Sequence, residues 1–297
     1  MSGTEAIDPR YTDIDTWPAI DAVAAMVEGQ RIAVAALTDQ TTTIAAACEA
    51  AAGRLTSPGG RLIYAGAGTS GRVAVQDGVE LTPTFGWPPD RLLYLLAGGI
   101  EALVESAEGA EDDVEDAAAQ VAAHAVVRDD VVIAVAASGH TPFTVKIVED
   151  ARARGALTIG IANNPATPLL AAADHAILLD TGSEIISGST RMKAGTAQKA
   201  ALNILSTTIM LKLGKVYRGQ MVDMIISNAK LQRRAAGMVQ ILADCSEAEA
   251  IDALAQADNN IARAVLIAKG KAPDCAEQLL ASHDGILRQA IASLDKP

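Results

Sequence analysis

Residues 61–81 read RLIYAGAGTSGRVAVQDGVEL, and this stretch decides the fold. Arg61 to Ala65 is a short, nearly continuous apolar run that stops in a Gly-rich loop, Gly66-Ala67-Gly68-Thr69-Ser70-Gly71-Arg72. A helix-length segment, Thr69 to Leu81, follows. That order is the one expected of a strand buried on both faces, a tight loop, and a helix that packs back on the sheet. The unit recurs along the chain. Runs at Leu92–Leu96, Val131–Ala136, Leu157–Ala162 and His175–Leu179 are likewise short, apolar and bounded by Gly, Asn, Asp or Ser, and Thr141–Arg154 is another helix-length segment. Repeated strand-helix units predict an α/β fold, a doubly wound five-stranded parallel sheet flanked by helices.

The loop after the first strand is formally a G-x-G-x-x-G, which raises a dinucleotide site as the first possibility. That fingerprint also needs a carboxylate about 20 residues on, at the end of the second strand, to hold a ribose hydroxyl. The second strand runs out in Leu96-Ala97-Gly98-Gly99, which has none. The adjacent hydroxyls of Thr69 and Ser70 point to a different anion. Free backbone N–H groups and the dipole at a helix start favour a phosphate, and hydroxyls add donors there. The third strand ends alike, in Ala137-Ser138-Gly139-His140-Thr141-Pro142, with Ser138 and Thr141 across another helix start. Either loop alone reads more readily as a helix cap; the two together point to one phosphorylated ligand at the carboxyl edge of the sheet. Arg72, Arg191, Lys193 and Lys199 are cations beside these loops, and each could instead solvate a helix face.

Outside this core, Trp17–Leu55 is Ala-rich with recurrent apolar residues and suits one or two helices. Thr190–Leu213 reads as a long, weakly charged helix and Ser227–Ala243 as another. Beyond Cys245 come short helical pieces opened by Ser246 (with Glu249 as a capping box), Asn259, Pro273 and Ser282. The expected organisation is an N-terminal helical segment (1–55), an α/β phosphate-binding domain (56–245) and a small helical C-terminal domain (246–297).

Composition narrows the partners. The 297 residues carry 24 Lys and Arg against 36 Asp and Glu, a net charge of −12, and only two Phe, two Trp and four Tyr. This lacks the basic footprint and stacking aromatics of nucleic-acid binding. No run approaches the ~18 to 20 apolar residues of a membrane span, so no membrane partner is expected either. Three distant cysteines (Cys48, Cys245, Cys275) and a polar, acidic start read as a reduced, cytoplasmic protein without a secretion signal. His124, His140, His175 and His283 show no short ligand spacing and no Cys-x-x-Cys is present, so no metal site is expected. The charge does not forbid an anionic ligand, because exposed charges are screened beyond a Debye length of about 8 Å and local groups decide.

Two long segments, IYAGAGTSGRVAVQDGVELTPTFG (63–86) and GSEIISGSTRMKAGTAQKAALNILSTTIMLKLGKVYRGQMVD (182–223), resemble the N-acetylmuramic acid 6-phosphate etherases of the sugar isomerase (SIS) superfamily. The likeness starts at Thr4-Glu5, passes through Glu108-Gly109-Ala110-Glu111-Asp112 and reaches the helical C-terminal region. It is most specific at Gly188-Ser189-Thr190-Arg191-Met192-Lys193-Ala194-Gly195-Thr196.

The resemblance implies an SIS fold, a homodimer, a phosphorylated amino sugar as ligand and no cofactor. It implies a lyase that removes D-lactate from N-acetylmuramic acid 6-phosphate during cell-wall recycling. A base takes the proton at C2 of the open-chain aldose, an acid protonates the lactyl oxygen leaving C3, and water then adds at C3. Glu80 and Glu111 match the family's catalytic glutamates: Glu80 as the acid and Glu111 as the base. An acid at neutral pH needs desolvation or a neighbouring carboxylate to stay protonated. The expected substrate- and phosphate-binding set is Gly68, Thr69, Ser70, Ser138, Gly139, Thr141, Ser189, Thr190 and Lys193.

The chain also departs from the family pattern. It has Gly78-Val79-Glu80-Leu81-Thr82-Pro83 where the family usually shows Ala-Ser-Glu-Cys-Pro-Pro, and His140 where Arg is frequent. Thr-Glu followed by Arg-Asn-Pro appears as Thr4-Glu5-Ala6-Ile7-Asp8-Pro9. Two other functions share the fold: a non-catalytic phosphosugar sensor of the glucokinase regulatory protein type, which would not need both glutamates, and an SIS aldose-ketose isomerase, which would not need the acid.

Overall fold

The computed structural model describes residues 3–105 and 107–294. In chain order its elements begin with α1 (Ala19–Ala35), α2 (Thr41–Leu55), β1 (Leu62–Gly66), α3 (Gly68–Val79), α4 (Leu81–Phe85) and β2 (Leu92–Leu96). They continue with α5 (Val114–Ala123), β3 (Val131–Val135), α6 (Pro142–Ala153), β4 (Leu157–Ala162), α7 (Pro168–Ala172) and β5 (His175–Leu178). The helices α8 (Lys193–Lys212), α9 (Ala229–Ala243), α10 (Glu247–Gln256), α11 (Ile261–Ala268), α12 (Pro273–Ala281) and α13 (Leu287–Leu294) complete the chain. Packing groups these residues into two compact units. One runs up to Gly78 and resumes over Asp90–Thr208; the other is Val79–Pro89 with the chain from Ile209.

The first unit is built on the sheet. All five strands are parallel, in the order β2-β1-β3-β4-β5. The expected runs are the observed strands to within a residue, because a continuous apolar run fits only a position covered on both faces. Side chains alternate between those faces. Ile63 and Ala65 of β1 and Val132 and Ala134 of β3 join Ala117 and Val121 of α5 and Phe143, Ile147 and Val148 of α6 in one apolar cluster. On the opposite face α2 packs against β3, β4 and β5. There the Tyr64 hydroxyl donates to Asp77 Oδ2 of α3 at 2.7 Å, and Ser206 and Asn203 of α8 donate to Oδ1 of the same buried carboxylate. At the amino edge of the sheet Arg61 holds the fully buried Asp130 through two hydrogen bonds, Nε–Oδ1 at 2.9 Å and a second nitrogen to Oδ2 at 2.6 Å. This bidentate geometry fixes where β1 starts.

The second unit is helical. Tyr217, Val222, Val239, Leu254, Val265, Leu266 and Leu287 share one buried cluster. The capping box at Ser246 and Glu249 forms as expected and opens α10, and Pro273 is the first residue of α12. Two expected helix starts are corrected. Asn260 caps α11, its side chain accepting from Arg263 N at 2.8 Å, whereas Asn259 takes a left-handed φ of +62°. Ser282 ends α12, and α13 starts at Leu287. Helix α9 lies against α10 and α11 within this unit. No helix among the described residues is long and apolar enough to cross a membrane.

Candidate functional site

In the order 2-1-3-4-5, the crossovers leave β1 and β3 in opposite directions, so a crevice opens where their carboxyl ends diverge. The two hydroxyl-bearing loops lie there. A cavity of about 400 Å³ is walled on one side by Ala67, Gly68, Thr69 and Ser70 and on the other by Ala136, Ala137, Ser138, His140, Thr141 and Pro142. Glu5, Glu111, Asp112 and Thr190 complete it. A second cavity of about 360 Å³ shares Ala67, Gly68 and Glu111 with the first and extends past Arg72 and Glu108.

Local conformation explains how each loop turns from strand to helix. Gly68 opens α3 at φ +52°. Gly139 sits at φ +68° against Thr167, whose side chain occupies the space a Cβ would need. The hydroxyls are not spent as simple caps. Thr141 occupies the N-cap position of α6 but makes no capping bond, and Pro142 behind it has no N–H to satisfy. Ser138 Oγ accepts from His140 N at 3.1 Å, which tightens the turn. His140 Nδ1 lies 2.8 Å from the Ser138 carbonyl; since a carbonyl only accepts, Nδ1 carries the proton. Ser70 is buried in the first turn of α3, where backbone N–H groups lack intrahelical acceptors.

The cations take other places. Lys193 is buried, donating from Nζ to the Thr181 carbonyl at 2.8 Å, and desolvation pushes its ammonium below the usual lysine range. Arg72 donates to the carbonyls of Ala102 and Leu103 at 2.9 and 3.1 Å and so holds the turn after β2. Lys199 pairs with Asn203, and Arg191 is exposed. Among the described residues, no Lys or Arg lines the first cavity. An anion there would depend on helix N-termini, which contribute about 0.3 to 1 kcal/mol each, or up to ~2 when partly buried, and on hydroxyl donors.

Of the residues singled out in the sequence, the structure gathers Gly68, Thr69, Ser70, Ser138, Thr141, Thr190 and Glu111 on one cavity wall or another. Gly139 shapes its loop from behind. Ser189 turns the chain, its N–H donating to the Ile186 carbonyl at 2.9 Å and its own carbonyl accepting from Met192 N, and does not line the cavity. Glu111 is exposed on a 3-10 turn, Ala110–Asp112, entered through Gly109 at φ +75°. Glu80 is also exposed, just beyond α3, and makes no capping bond to α4. Sequence reasoning gave no role to Glu5, Asp112 or Asn164; Thr4-Glu5 carried a signal only through the resemblance.

The family model of the glucokinase regulatory protein N-terminal SIS domain matches residues 43–151, which include both hydroxyl-bearing loops, Glu80 and Glu111. The N-acetylmuramic acid 6-phosphate etherase of Deinococcus radiodurans is 47% identical over 289 residues, 97% of this chain and 94% of that relative. The chain belongs to the N-acetylmuramic acid 6-phosphate etherase family. The etherase of Streptomyces avermitilis is 45% identical over 98% of this chain and 93% of its own length. A phosphoheptose isomerase from Francisella tularensis shares the fold, with a TM-score of 0.50 at 18% identity over 66% of this chain and 100% of that one. This chain carries a glutamate at position 80, within Gly78-Val79-Glu80-Leu81-Thr82-Pro83, and at position 111, within Glu108-Gly109-Ala110-Glu111-Asp112.

Proposed function

We propose that the protein cleaves the lactyl ether of N-acetylmuramic acid 6-phosphate, giving N-acetylglucosamine 6-phosphate and D-lactate, a lyase step in the recycling of cell-wall amino sugar. The observation that carries this reading is the cavity at the β1/β3 switch point, with two hydroxyl-bearing loops and Glu111 on its walls, in a chain of the etherase family. The phosphate sits on the starts of α3 and α6, among Gly68, Thr69, Ser70, Ser138, Gly139 and Thr141, with Thr190 beside them. Glu111 takes the C2 proton of the open-chain aldose, which the neighbouring aldehyde acidifies. Glu80 gives its proton to the lactyl oxygen as the C3–O bond breaks. Water then adds to C3 of the unsaturated aldehyde, so the net reaction is a redox-neutral hydrolysis. Positioned acids and bases of this kind contribute ~10² to 10⁴ in rate each.

The working form we infer is a cytoplasmic homodimer. Glu80 lies just beyond α3 and is not among the described residues that line the cavity. Glu80 of a second copy then supplies the acid.

The decisive experiment is to incubate the protein with N-acetylmuramic acid 6-phosphate and follow free D-lactate. Enzymatic release is expected. Tight phosphosugar binding with no lactate above background would instead make the protein a sensor of the glucokinase regulatory type.

A further inference from the structure

The 3-10 turn Gly3–Glu5 lies far from the cavity in sequence, yet it is docked on the loops that follow β3, β4 and β5. Thr4 has no exposed surface. Its N–H donates to Asn164 Oδ1 at 3.0 Å, and Asn164 Nδ2 donates back to Thr4 Oγ1 at 2.9 Å and to the Ala137 carbonyl at 3.0 Å. One side-chain amide thus ties the strap to the same loop that carries Ser138. Gly3 is at φ +62°, and a Cβ there would run into the Asn164 side chain. On the far side Ser187 Oγ donates to the Glu5 carbonyl at 3.2 Å. With its backbone held from both sides, Glu5 is exposed and stands among the residues that line the cavity. Gly188, at φ +72°, leaves that carboxylate its place: a Cβ at this position would come to 3.2 Å from Glu5 Oε2. Among the described residues nothing donates a hydrogen bond or an ion pair to the Glu5 carboxylate.

We propose that Glu5 is the substrate-orienting carboxylate of this site, accepting hydrogen bonds from the hydroxyl and amide N–H groups of the bound phosphorylated amino sugar. The inference rests on the etherase reading and deepens it. A carboxylate offers only acceptors. With Glu111 and Asp112 it makes part of the cavity anionic, so a phosphate is directed to the helix starts and the donor-rich sugar to the strap. A docked backbone is what this task needs, because orientation is lost when the acceptor wanders by about 1 Å. The motif Gly188-Ser189-Thr190 thereby gains a purpose: Gly188 makes room for Glu5, and Thr190 reaches the cavity.

Glu5→Gln tests this, since it keeps the shape, turns half of an acceptor into a donor and disturbs no hydrogen bond of the fold. The expected result is a fall of about 10- to 100-fold in kcat/KM for lactate release, the loss of one charged hydrogen bond, with weaker binding of N-acetylglucosamine 6-phosphate. Affinity for inorganic phosphate and the thermal midpoint stay unchanged, and Glu5→Asp recovers part of the loss. A change within threefold overturns the proposal. So does an equal loss of inorganic phosphate affinity, which would make Glu5 a shaper of the phosphate loops. Abolished C2 proton exchange with an unchanged KM overturns it as well, by making Glu5 the base. If the wild-type protein releases no lactate while Glu5→Gln still weakens phosphosugar binding selectively, the etherase reading fails and this one stands.

Discussion

Gly78 brings α3 so close to the sheet that a Cβ there would meet the Tyr94 ring at 2.8 Å and the Tyr64 ring at 3.0 Å. Tyr64 is fully buried there and Tyr94 partly, with its hydroxyl oxygen out of solvent. The Tyr64 hydroxyl donates a hydrogen bond to Asp77, but the Tyr94 hydroxyl is buried without a partner among the described residues. Desolvation first, and then the charge of Asp77, push Tyr94 up to about 12 and Tyr64 well above the ordinary phenol range. Both groups hold their protons more tightly folded than unfolded. Their contribution to stability is therefore fully present below about pH 10, and that of Tyr94 is lost as the pH rises through about 12. Tyr94→Phe removes one of the two groups together with an unsatisfied hydroxyl. Its denaturation midpoint in urea is expected to equal or exceed that of the wild type at pH 7 and to fall less steeply between pH 10 and 12; an equally steep fall would mean that Tyr94 does not titrate with unfolding. None of this was legible in the sequence, where Gly78 is one more glycine. The burial of Lys193 was equally hidden, because its acceptor, the carbonyl of Thr181, is brought to it by the fold.

At the scale of elements, legibility follows the range of the forces involved. The strands were readable because burial on both faces leaves a continuous apolar run, and the capping box at Ser246 was readable because both partners lie within one turn. The long helix was expected from Thr190 but starts at Lys193. Its first N–H groups, those of Lys193 and Ala194, donate to the buried carboxylate of Glu184 at 3.0 and 2.9 Å. A cap supplied from nine residues upstream leaves no local signature. The Asn259-Asn260 pair is ambiguous for the opposite reason, since two adjacent residues both suit a helix start and backbone dihedrals decide. Asn260 has the extended conformation a cap requires, and Asn259 has the left-handed one that Asn and Gly tolerate. Asn260→Ala is expected to cost about 1 kcal/mol in equilibrium unfolding. Asn259→Gly, which relieves a positive φ, is expected to change stability by less than about half of that. The reverse ranking would return the cap to Asn259.

For the whole molecule, the strand order is what turns separate loops into one site, since only the β1/β3 switch brings Ser70 and Ser138 to the same cavity. The sequence announced both loops, and the family pattern named both glutamates. Under the proposed dimer, what a single chain does not announce is which copy each glutamate serves. Glu111 lines the cavity, whereas Glu80 is not among the described residues that line it. If the acid comes from a second copy, two inactive variants must rescue each other. Glu80→Ala keeps its own Glu111 but offers no acid, and Glu111→Gln offers Glu80 but has no base. In a mixed two-fold dimer, one of the two sites then combines an intact Glu111 from the first chain with an intact Glu80 from the second, while the other site lacks both. Random exchange of subunits makes half of the dimers mixed, so about a quarter of all sites are whole. Lactate release from the unfolded and co-refolded mixture is expected at about a quarter of the wild-type rate, with each variant alone near background. A mixture as inactive as its parents, at concentrations where mixed dimers are demonstrated by mass, would place both glutamates in one chain.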